Sequence, residues 1–263
     1  MSSLEIDNMD NIAIKTENLV KRFGKFTAID NLNVTIPKEK IYGFLGPNGA
    51  GKTTAINLFM DIVKPTSGKI TVLNHDPTSR DRFKLRKKIG FMPQDVSLYE
   101  DLTPMEQCMF FGRLNGLSKA EAKKSAMELL EFFDLKEKMN TQLHALSGGM
   151  KRRTSLTVAL VHHPELVILD EPTVGVDPVL RRDLWNYFRD LNKSEKRVTF
   201  LITTHVFDEV DRMDEILLLY RGKLIEQGSP NALKEKYNVK SLEDIFLNVV
   251  DNDGSTKLNG EEH

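Results

Sequence analysis

The sequence predicts an α/β fold in which a mainly parallel sheet is interrupted by a helical insert. The first sign is a short apolar segment, Ile41–Leu45 (IYGFL), that runs directly into a Gly-rich turn and then into residues with helical spacing. The second is a set of apolar strands after Pro164, separated from one another by helical segments, which is typical of a parallel sheet. The third is the region from Pro104 to His163, where the periodicity becomes helical.

The N-terminal part of the chain is predicted to contain strands around one helix. Ile12–Leu19 and Asn31–Ile36 alternate apolar and polar residues, as half-buried strands do. After the Gly-rich turn, Thr53–Ile62 has helical spacing. Two more short strands complete this part: Ile70–Leu73 and Lys88–Phe91.

The helical insert is predicted over about residues 95–165. Pro104–Leu114 and Ser118–Phe133 have helical periodicity, and Ser118 with Glu121 forms the S-x-x-E pattern of a capping box. A further helix begins after Ser147. Beyond the insert, strands and helices alternate in this order: Leu166–Leu169, Pro178–Leu191, Val198–Ile202, Val206–Met213 and Glu215–Tyr220.

Residues 12–228 are therefore expected to form the main domain, followed by a helical extension over 229–250. Residues 1–11 and 251–263 are polar and are expected to be disordered. No window approaches the roughly 20 apolar residues that a membrane-spanning helix needs. The polar, acidic N-terminus also lacks the features of a signal peptide.

Composition and charge are those of an ordinary globular protein. Of the 263 residues, 40% are hydrophobic and 29% are charged, and 37 basic against 38 acidic side chains give a net charge of -1. This balance provides no overall attraction to nucleic acid or anionic lipid. The single cysteine, Cys108, excludes a disulfide within the chain and is consistent with a reducing compartment.

The Gly-rich turn carries the first chemical signal. Gly46–Thr53 reads GPNGAGKT, which satisfies G-x-x-x-x-G-K-[ST] between a strand and a helix. Its glycines allow successive backbone N–H groups to point at phosphate oxygens, and the helix adds the positive end of its dipole. Lys52 is expected to reach the β- and γ-phosphates, and the Thr53 hydroxyl to bind Mg²⁺. Because Lys52 and Thr53 occupy the positions that the motif requires, a nucleotide-binding turn is favoured over a turn that only connects the strand to the helix.

A pair of carboxylates follows a buried strand. Residues 166–171 read LVILDE, so Asp170 and Glu171 emerge at the C-terminal end of the strand, where ligands bind in such sheets. Asp170 is predicted to hold Mg²⁺, and Glu171 to polarise the attacking water as general base. Considered alone, such a pair of carboxylates is more typical of a solvated turn. Downstream of a phosphate-binding turn, the functional interpretation is favoured.

A second anion-binding helix N-terminus is predicted at Leu146–Met150, which reads LSGGM. Ser147 is a good N-cap, and Gly148 with Gly149 leaves backbone N–H groups bare. An ordinary N-capped helix fits these residues equally well. If the segment binds phosphate, it either meets the Gly-rich turn on one nucleotide within the subunit or belongs to a different site.

The ordered motifs resemble the ABC ATPase family over about residues 12–228. GPNGAGKTT is similar to its Walker A, LSGGM to its signature with Met150 in place of the usual Gln, and LVILDEP to its Walker B. The resemblance implies a P-loop NTPase fold with a mainly parallel core sheet, an antiparallel β subdomain and an inserted helical subdomain. It also implies that ATP and Mg²⁺ are the ligands.

The resemblance assigns further residues by motif. Gln94 in FMPQ resembles the Q-loop glutamine, Asp177 in GVDP the D-loop aspartate, and His205 in ITTH the switch histidine, while Phe23 in VKRFG falls where the family places an aromatic under adenine. The implied catalytic residues are Lys52, Gln94, Glu171 and His205, and the implied Mg²⁺ ligands are Thr53, Gln94 and Asp170. The implied nucleotide contacts are Phe23, Gly46, Pro47, Asn48, Gly49, Ala50, Gly51, Lys52, Thr53, Thr54, Ser147, Gly148, Gly149 and Asp177.

Family membership implies a head-to-tail dimer, with each ATP held between the P-loop of one chain and the signature of a second chain, identical or paralogous. LSGGMKRR and Ser241–Leu247 (SLEDIFL) are similar to the drug and lipid exporter branch. This branch implies a separate membrane-spanning permease, a position on the cytoplasmic face of a membrane and no nucleic-acid partner. Leu98 and Tyr99, in the loop after Gln94, are expected to face the permease, although local packing of the loop is an alternative.

Two other classes of protein share these motifs. One is a non-transport ABC ATPase that acts on ribosomes, nucleic acid or an assembly complex. Such proteins usually carry two cassettes or a long coiled coil, which this chain has no room for. The other is a binding module without turnover, against which the intact Lys52, Asp170, Glu171 and His205 argue.

Overall fold

The computed structural model describes residues 11–80, 82–195 and 197–252, with side chains described through Leu247. The two segments expected to be disordered, 1–11 and 251–263, lie almost entirely outside the described residues. Of these segments, Asn11 directly precedes the first strand, and residues 251–252 complete the last helix.

Two sheets organise the chain. The smaller one is antiparallel, with strands β1 (Ile12–Phe23), β2 (Phe26–Pro37) and β4 (Ser67–Val72) in the order β2-β1-β4. The larger one has six strands in the order β5-β6-β7-β3-β8-β9. Its strands are β3 (Ile41–Leu45), β5 (Ile89–Met92), β6 (Leu166–Asp170), β7 (Thr199–Thr204), β8 (Glu215–Tyr220) and β9 (Lys223–Gly228). The first five strands in this order are parallel, which confirms the predicted fold class.

The strand order positions the functional segments. Strands β6, β7 and β3 are neighbours in the larger sheet, so their C-terminal ends meet at one edge. The Gly-rich turn follows Leu45, Asp170 ends β6, and His205 directly follows β7. This edge is where ligands bind in open parallel sheets.

Eight α-helices connect and cover the strands in the described part of the chain. They are α1 (Lys52–Phe59), α2 (Arg82–Arg86), α3 (Pro104–Leu114), α4 (Lys119–Phe132), α5 (Gly148–Leu160), α6 (Pro178–Lys193), α7 (Pro230–Tyr237) and α8 (Leu242–Asn252). The predicted capping box at Ser118 and Glu121 is present at the start of α4, and Thr103 with Glu106 forms another on α3. No helix among the described residues is both long and apolar enough to cross a bilayer.

The larger sheet is buried on both faces, as its apolar strands require. Along β3, Ile41 and Leu45 belong to one core cluster, which includes Leu156 of α5 and Phe188 of α6. Tyr42 and Phe44 belong to a second cluster with α1 and the antiparallel sheet. This alternation is the period of a strand covered on both sides. Packing on both faces holds β3 in place and so fixes the position of the Gly-rich turn that follows it.

Three elements differ from the sequence-based prediction. The segment predicted as helix Val206–Met213 is a 3₁₀ helix, Phe207–Arg212, closed by short-range bonds such as Met213 N–H to Val210 O at 2.9 Å. Helix α2 (Arg82–Arg86) was not predicted. Strand β9 was not predicted, although Arg221 and Gly222 have positive φ angles of 48° and 78° and make the tight β8–β9 turn.

Candidate functional site

The Gly-rich turn lies between β3 and α1 in a conformation that depends on glycine. Gly51 has a φ of 107° and would place a Cβ 2.8 Å from the Ala28 carbonyl oxygen. A Cβ at Gly46 would lie 2.3 Å from the Leu219 carbonyl oxygen. Both distances are shorter than real Cβ contacts, so a side chain at either position would displace backbone. The turn is thus held close to β2 and β8, with its N–H groups at the start of α1.

Lys52 lies across the turn. Its ammonium donates to the carbonyl of Gly46 at 2.6 Å and to that of Pro47 at 3.2 Å. Burial lowers the pKa of this ammonium, while the charges of Glu171 and Asp170 oppose the shift. An anion beside Lys52 would therefore restore part of the stabilisation that the ammonium loses on leaving water. A phosphate is an anion of this kind.

Asp170 is the centre of a cluster of oxygen atoms that reaches from the buried β7 to the exposed Thr53. The Thr53 hydroxyl donates to its Oδ2 at 2.9 Å across 117 residues of sequence, and the Thr203 hydroxyl donates to its Oδ1. Asp170 itself is only 2% exposed. The set of a carboxylate and a hydroxyl at the mouth of a phosphate-binding turn consists of hard oxygen donors, which suit Mg²⁺. Among the described residues, no cluster of three or more His, Cys, Asp or Glu has metal-binding geometry.

Glu171 joins two of the predicted catalytic residues. Its Oε1 lies 3.0 Å from Nδ1 of His205, and its Oε2 accepts from the Gln94 amide at 3.4 Å. Residues that are far apart in sequence thus converge on one carboxylate. A carboxylate in contact with an imidazole and an amide has the partners needed to orient and deprotonate a water molecule.

The backbone of Glu171 is strained. Its φ is 54°, in the left-handed region that non-glycine residues rarely adopt. Its N–H donates to the Thr203 hydroxyl at 2.9 Å. Such conformations persist where the surroundings over-determine them, and they cluster at active sites.

A cavity of about 310 Å³ brings half of the predicted nucleotide contacts together. It is lined by Asn48, Gly49, Ala50, Gly51, Lys52, Thr53, Thr54, Gln94 and Glu171, together with Phe26 and Ala28. Gly46 and Pro47 contribute the carbonyl groups that hold Lys52 beside this cavity. The cavity therefore groups the P-loop with two residues that the sequence analysis singled out, Glu171 and Gln94.

The predicted adenine contact, Phe23, is not among the residues that line the cavity. It is 49% exposed, and the Lys21 ammonium lies 4.7 Å from its ring centroid. Phe23 pairs with Phe26 across the β1–β2 hairpin, and directly opposite residues share a face of the sheet. Phe26 was not predicted. The sequence does not mark it, because the alternation of β2 breaks where the neighbouring residues Ala28 and Ile29 are both buried.

Four other predicted nucleotide contacts also lie outside the cavity. Ser147 caps α5 by accepting from the Met150 N–H at 3.3 Å, and Asp177 caps α6 by accepting from Val179 and Leu180 at 3.1 and 3.0 Å. Ser147, Gly148, Gly149 and Asp177 are all exposed. A Cβ built on Gly148 or Gly149 would meet nothing within 4 Å. The N-terminus of α5 is thus open to an incoming group.

Two charged residues that sequence reasoning missed contact the site. Arg152 donates from Nε to the Pro172 carbonyl at 3.2 Å and from a terminal nitrogen to the Glu171 carbonyl. Glu209, which is buried, accepts from the hydroxyls of Thr173 at 3.0 Å and Thr204 at 3.3 Å. Glu209 therefore links the segment after Glu171 to the segment before His205. In the sequence, both residues resemble solvated charges, and no local pattern distinguishes them.

Comparison with known proteins agrees with this geometry. The family model described as "ABC transporter" matches residues 29–174. The linearmycin resistance ATP-binding protein LnrL of Bacillus subtilis is 39% identical over 221 residues, which are 84% of this chain and 70% of that protein. The Nod factor export ATP-binding protein I of Rhizobium sp. is 38% identical, over 90% of this chain and 78% of that protein.

A longer relative and two solved structures extend the comparison. The probable multidrug ABC transporter ATP-binding protein YbhF of Escherichia coli is 39% identical, and the chain spans only 41% of its length. The ATP-binding cassette MJ0796, solved as a dimer bound to ADP and Pi in a post-hydrolysis state, is 27% identical with a TM-score of 0.76, over 82% of this chain and 98% of that one. An ATP-binding subunit of an ABC transporter shares the fold with a TM-score of 0.84 at 23% identity, over 90% of this chain and 99% of that one. The chain therefore belongs to the ABC transporter family and is one of its ATP-binding, ATP-hydrolysing subunits.

Proposed function

We propose that this chain powers an ABC-type exporter by binding Mg²⁺ and ATP between two ATP-binding chains and hydrolysing the ATP. One observation carries the two-chain arrangement. The described residues include two helix N-termini whose motifs suit phosphate: that of α1 lines the cavity, while that of α5 is exposed at Ser147–Gly149. A second chain brought head-to-tail would place its α5 N-terminus over the ATP in the first.

The residues around the cavity would hold Mg²⁺ and ATP as follows. Backbone N–H groups of the P-loop and the ammonium of Lys52 bind the phosphates. Thr53 and Asp170, whose side chains already meet at 2.9 Å, hold Mg²⁺, and Gln94 is close enough to Glu171 to complete the set when the site closes. Bound Mg²⁺ would neutralise phosphate charge as it develops during transfer.

Hydrolysis is assigned to Glu171 and its neighbours. Glu171 accepts a proton from the attacking water, while His205 and Gln94 fix its two carboxylate oxygens. The γ-phosphate supplies the negative charge that the α5 N-terminus of the partner chain binds, so ATP holds the two chains together. Loss of the γ-phosphate removes that contact and opens the dimer.

The exporter role rests on the branch that the sequence resembles. Relatives in this branch are named for export and resistance. The permease would be a separate membrane-spanning protein and would hold this chain at the cytoplasmic face. The second ATP-binding chain could be a copy of this one or a paralogue, and both satisfy the geometry.

A docking surface for the permease is proposed beside the loop after Gln94. Tyr99 is 56% exposed, and its ring contacts the rings of Phe110 at 5.8 Å and Phe111 at 6.3 Å on α3. The Gln107 amide donates to the Tyr99 carbonyl at 2.8 Å and anchors this loop to the helix. Leu98, by contrast, is half-buried, so local packing accounts for it. We define the docking patch as Tyr99, Phe110 and Leu114, three exposed apolar side chains on one side of the insert.

Membrane fractionation tests this role. In native extracts, wild type should sediment with membranes through its permease. Tyr99→Ser with Phe110→Ser should release the chain into the soluble fraction while leaving its ATP affinity unchanged. Ile62→Ser, which replaces an apolar residue of 56% exposure outside the docking patch, is the control and should remain membrane-bound. A wholly soluble wild type would contradict the exporter role, and a membrane-bound double variant would contradict the docking patch.

A further inference from the structure

Arg152 connects the signature helix to the catalytic carboxylate of the same chain. It lies on α5, little more than one turn beyond Ser147. Its guanidinium donates to two successive carbonyl groups, those of Glu171 and Pro172. Burial lowers the pKa of this guanidinium, and the charges of Glu171 and Asp170 oppose the shift. The planar fork of Arg suits a pair of neighbouring acceptors in a way that Lys cannot match.

The carbonyl groups that Arg152 binds belong to the strained turn. Glu171 has a positive φ, a conformation that persists where the surrounding structure holds it in place. On its N-terminal side, the N–H of Glu171 is bound to the Thr203 hydroxyl at 2.9 Å. On its C-terminal side, Arg152 binds the carbonyl groups of Glu171 and Pro172. The conformation that aims the Glu171 carboxylate at the cavity is thus held by β7 and by α5 together.

Ser147 and Arg152, at the two ends of this segment of α5, face two different ATP sites in the proposed dimer. Ser147 and the glycines after it lie at the exposed N-terminus of α5, which in the proposed dimer contacts ATP bound to the partner chain. Arg152 contacts the base that acts on ATP bound to its own chain. An α-helix is stiff over one turn, so a shift of its N-terminus reaches Arg152.

We propose that Arg152 is a positioning residue that ties the orientation of Glu171 to the docking of α5, and so couples the two ATP sites of the dimer through each chain. The proposal rests on the function proposed above, because only a two-chain site gives the α5 N-terminus a nucleotide to bind.

The next residue provides a matched control. Arg153 has the same side chain and lies on the same helix, but it donates to the carbonyl groups of Phe133 at 3.0 Å and Asp134 at 3.4 Å. Its contacts therefore belong to the helical insert and not to the active site. Replacing Arg153 removes an equally half-buried guanidinium while leaving Glu171 and Pro172 bound.

The experiment compares Arg152→Met with Arg153→Met in the full chain. Arg152→Met should lower kcat at least tenfold, with KM and ATP binding within twofold of wild type. It should also accelerate amide hydrogen exchange across residues 170–176. Arg153→Met should keep kcat within threefold and leave exchange in that segment unchanged. Equal kcat values for the two variants would overturn the proposal. If Arg152→Met fails to fold, the same comparison is made between Arg152→Lys and Arg153→Lys. The proposal then predicts that kcat of Arg152→Lys is at least threefold lower than kcat of Arg153→Lys.

A double-mutant cycle with Ser147→Ala tests the coupling itself. If the signature acts on Glu171 through Arg152, the combined loss of kcat should be at least threefold smaller than the product of the two single losses. Losses that multiply would overturn the coupling. Dimerisation separates this outcome from the proposed function: Glu171→Gln and Glu171→Gln with Arg152→Met should both dimerise on ATP. Failure of the first to dimerise contradicts the two-chain site, whereas failure of the cycle contradicts only the role of Arg152.

Discussion

Nδ1 of His205 lies 3.0 Å from Oε1 of Glu171, although these residues directly follow different strands of the core sheet. The contact follows from the sheet order, because β6 and β7 are parallel neighbours and Asp170 is in register with Thr203. His205 is partly exposed, with 44% of its side chain accessible, whereas the Glu171 side chain is 8% accessible. The histidine therefore reaches the buried carboxylate from the open side of the site.

His205→Ala should lower kcat by at least about 100-fold, the loss expected when an acid–base constellation loses a partner. ATP binding should stay within twofold, because the P-loop is untouched. Steady-state ATPase assays and nucleotide titrations measure the two effects. His75→Ala is the control, since the described hydrogen bonds of His75 with Val72 are made by its backbone. An active His205→Ala variant would remove the histidine from the mechanism.

Asp170→Asn should shift the Mg²⁺ activation curve to at least tenfold higher concentration, because a neutral amide is a weaker ligand for a hard cation. ATPase activity should vanish with a chelator and return with added Mg²⁺. Asp190→Asn, on the exposed side of α6, should leave the curve unchanged. An unchanged curve for Asp170→Asn would place the cation elsewhere.

The aromatic face of the β1–β2 hairpin should bind adenine. Phe23→Ala with Phe26→Ala should weaken ATP binding about 30-fold, since each ring contact contributes on the order of 1 kcal/mol. The rings offer no hydrogen bond, so discrimination between ATP and GTP should be weak. Titration of the two single variants with a fluorescent nucleotide measures how much of the loss of affinity comes from Phe23 and how much from Phe26. ATP affinity within twofold of wild type in the double variant would mean that the base is bound by another surface.

Strong local signals made much of the fold predictable. Helix Pro104–Leu114 and strands Ile41–Leu45 and Glu215–Tyr220 have the predicted bounds, because proline, glycine or charged residues mark where the apolar pattern stops. Strand β9 has half-buried residues and little alternation, so its pairing with β8 depends on the Arg221–Gly222 turn and not on its own pattern.

The residues of the site also fall into those that local sequence predicts and those that only tertiary contacts reveal. The P-loop and the acidic pair are each contiguous in sequence. The structure places Glu171 in the cavity that the P-loop lines, and Asp170 accepts from the Thr53 hydroxyl at 2.9 Å. Phe26, Arg152 and Glu209 act through tertiary contacts that depend on how β2, α5 and the 3₁₀ helix pack. A single sequence contains no periodic signal for such contacts, so these residues could be identified only in three dimensions.

ATP-driven dimerisation measured by light scattering tests the central claim most directly. Glu171→Gln removes the base and keeps the charge arrangement, so the variant should bind ATP, lose steady-state hydrolysis and become a stable dimer only with ATP. Adding Ser147→Arg places bulk and positive charge at the α5 N-terminus and should leave ATP binding almost unchanged while keeping the protein monomeric. A Glu171→Gln variant that hydrolyses ATP at the wild-type rate, or a double variant that still dimerises on ATP, would contradict the account.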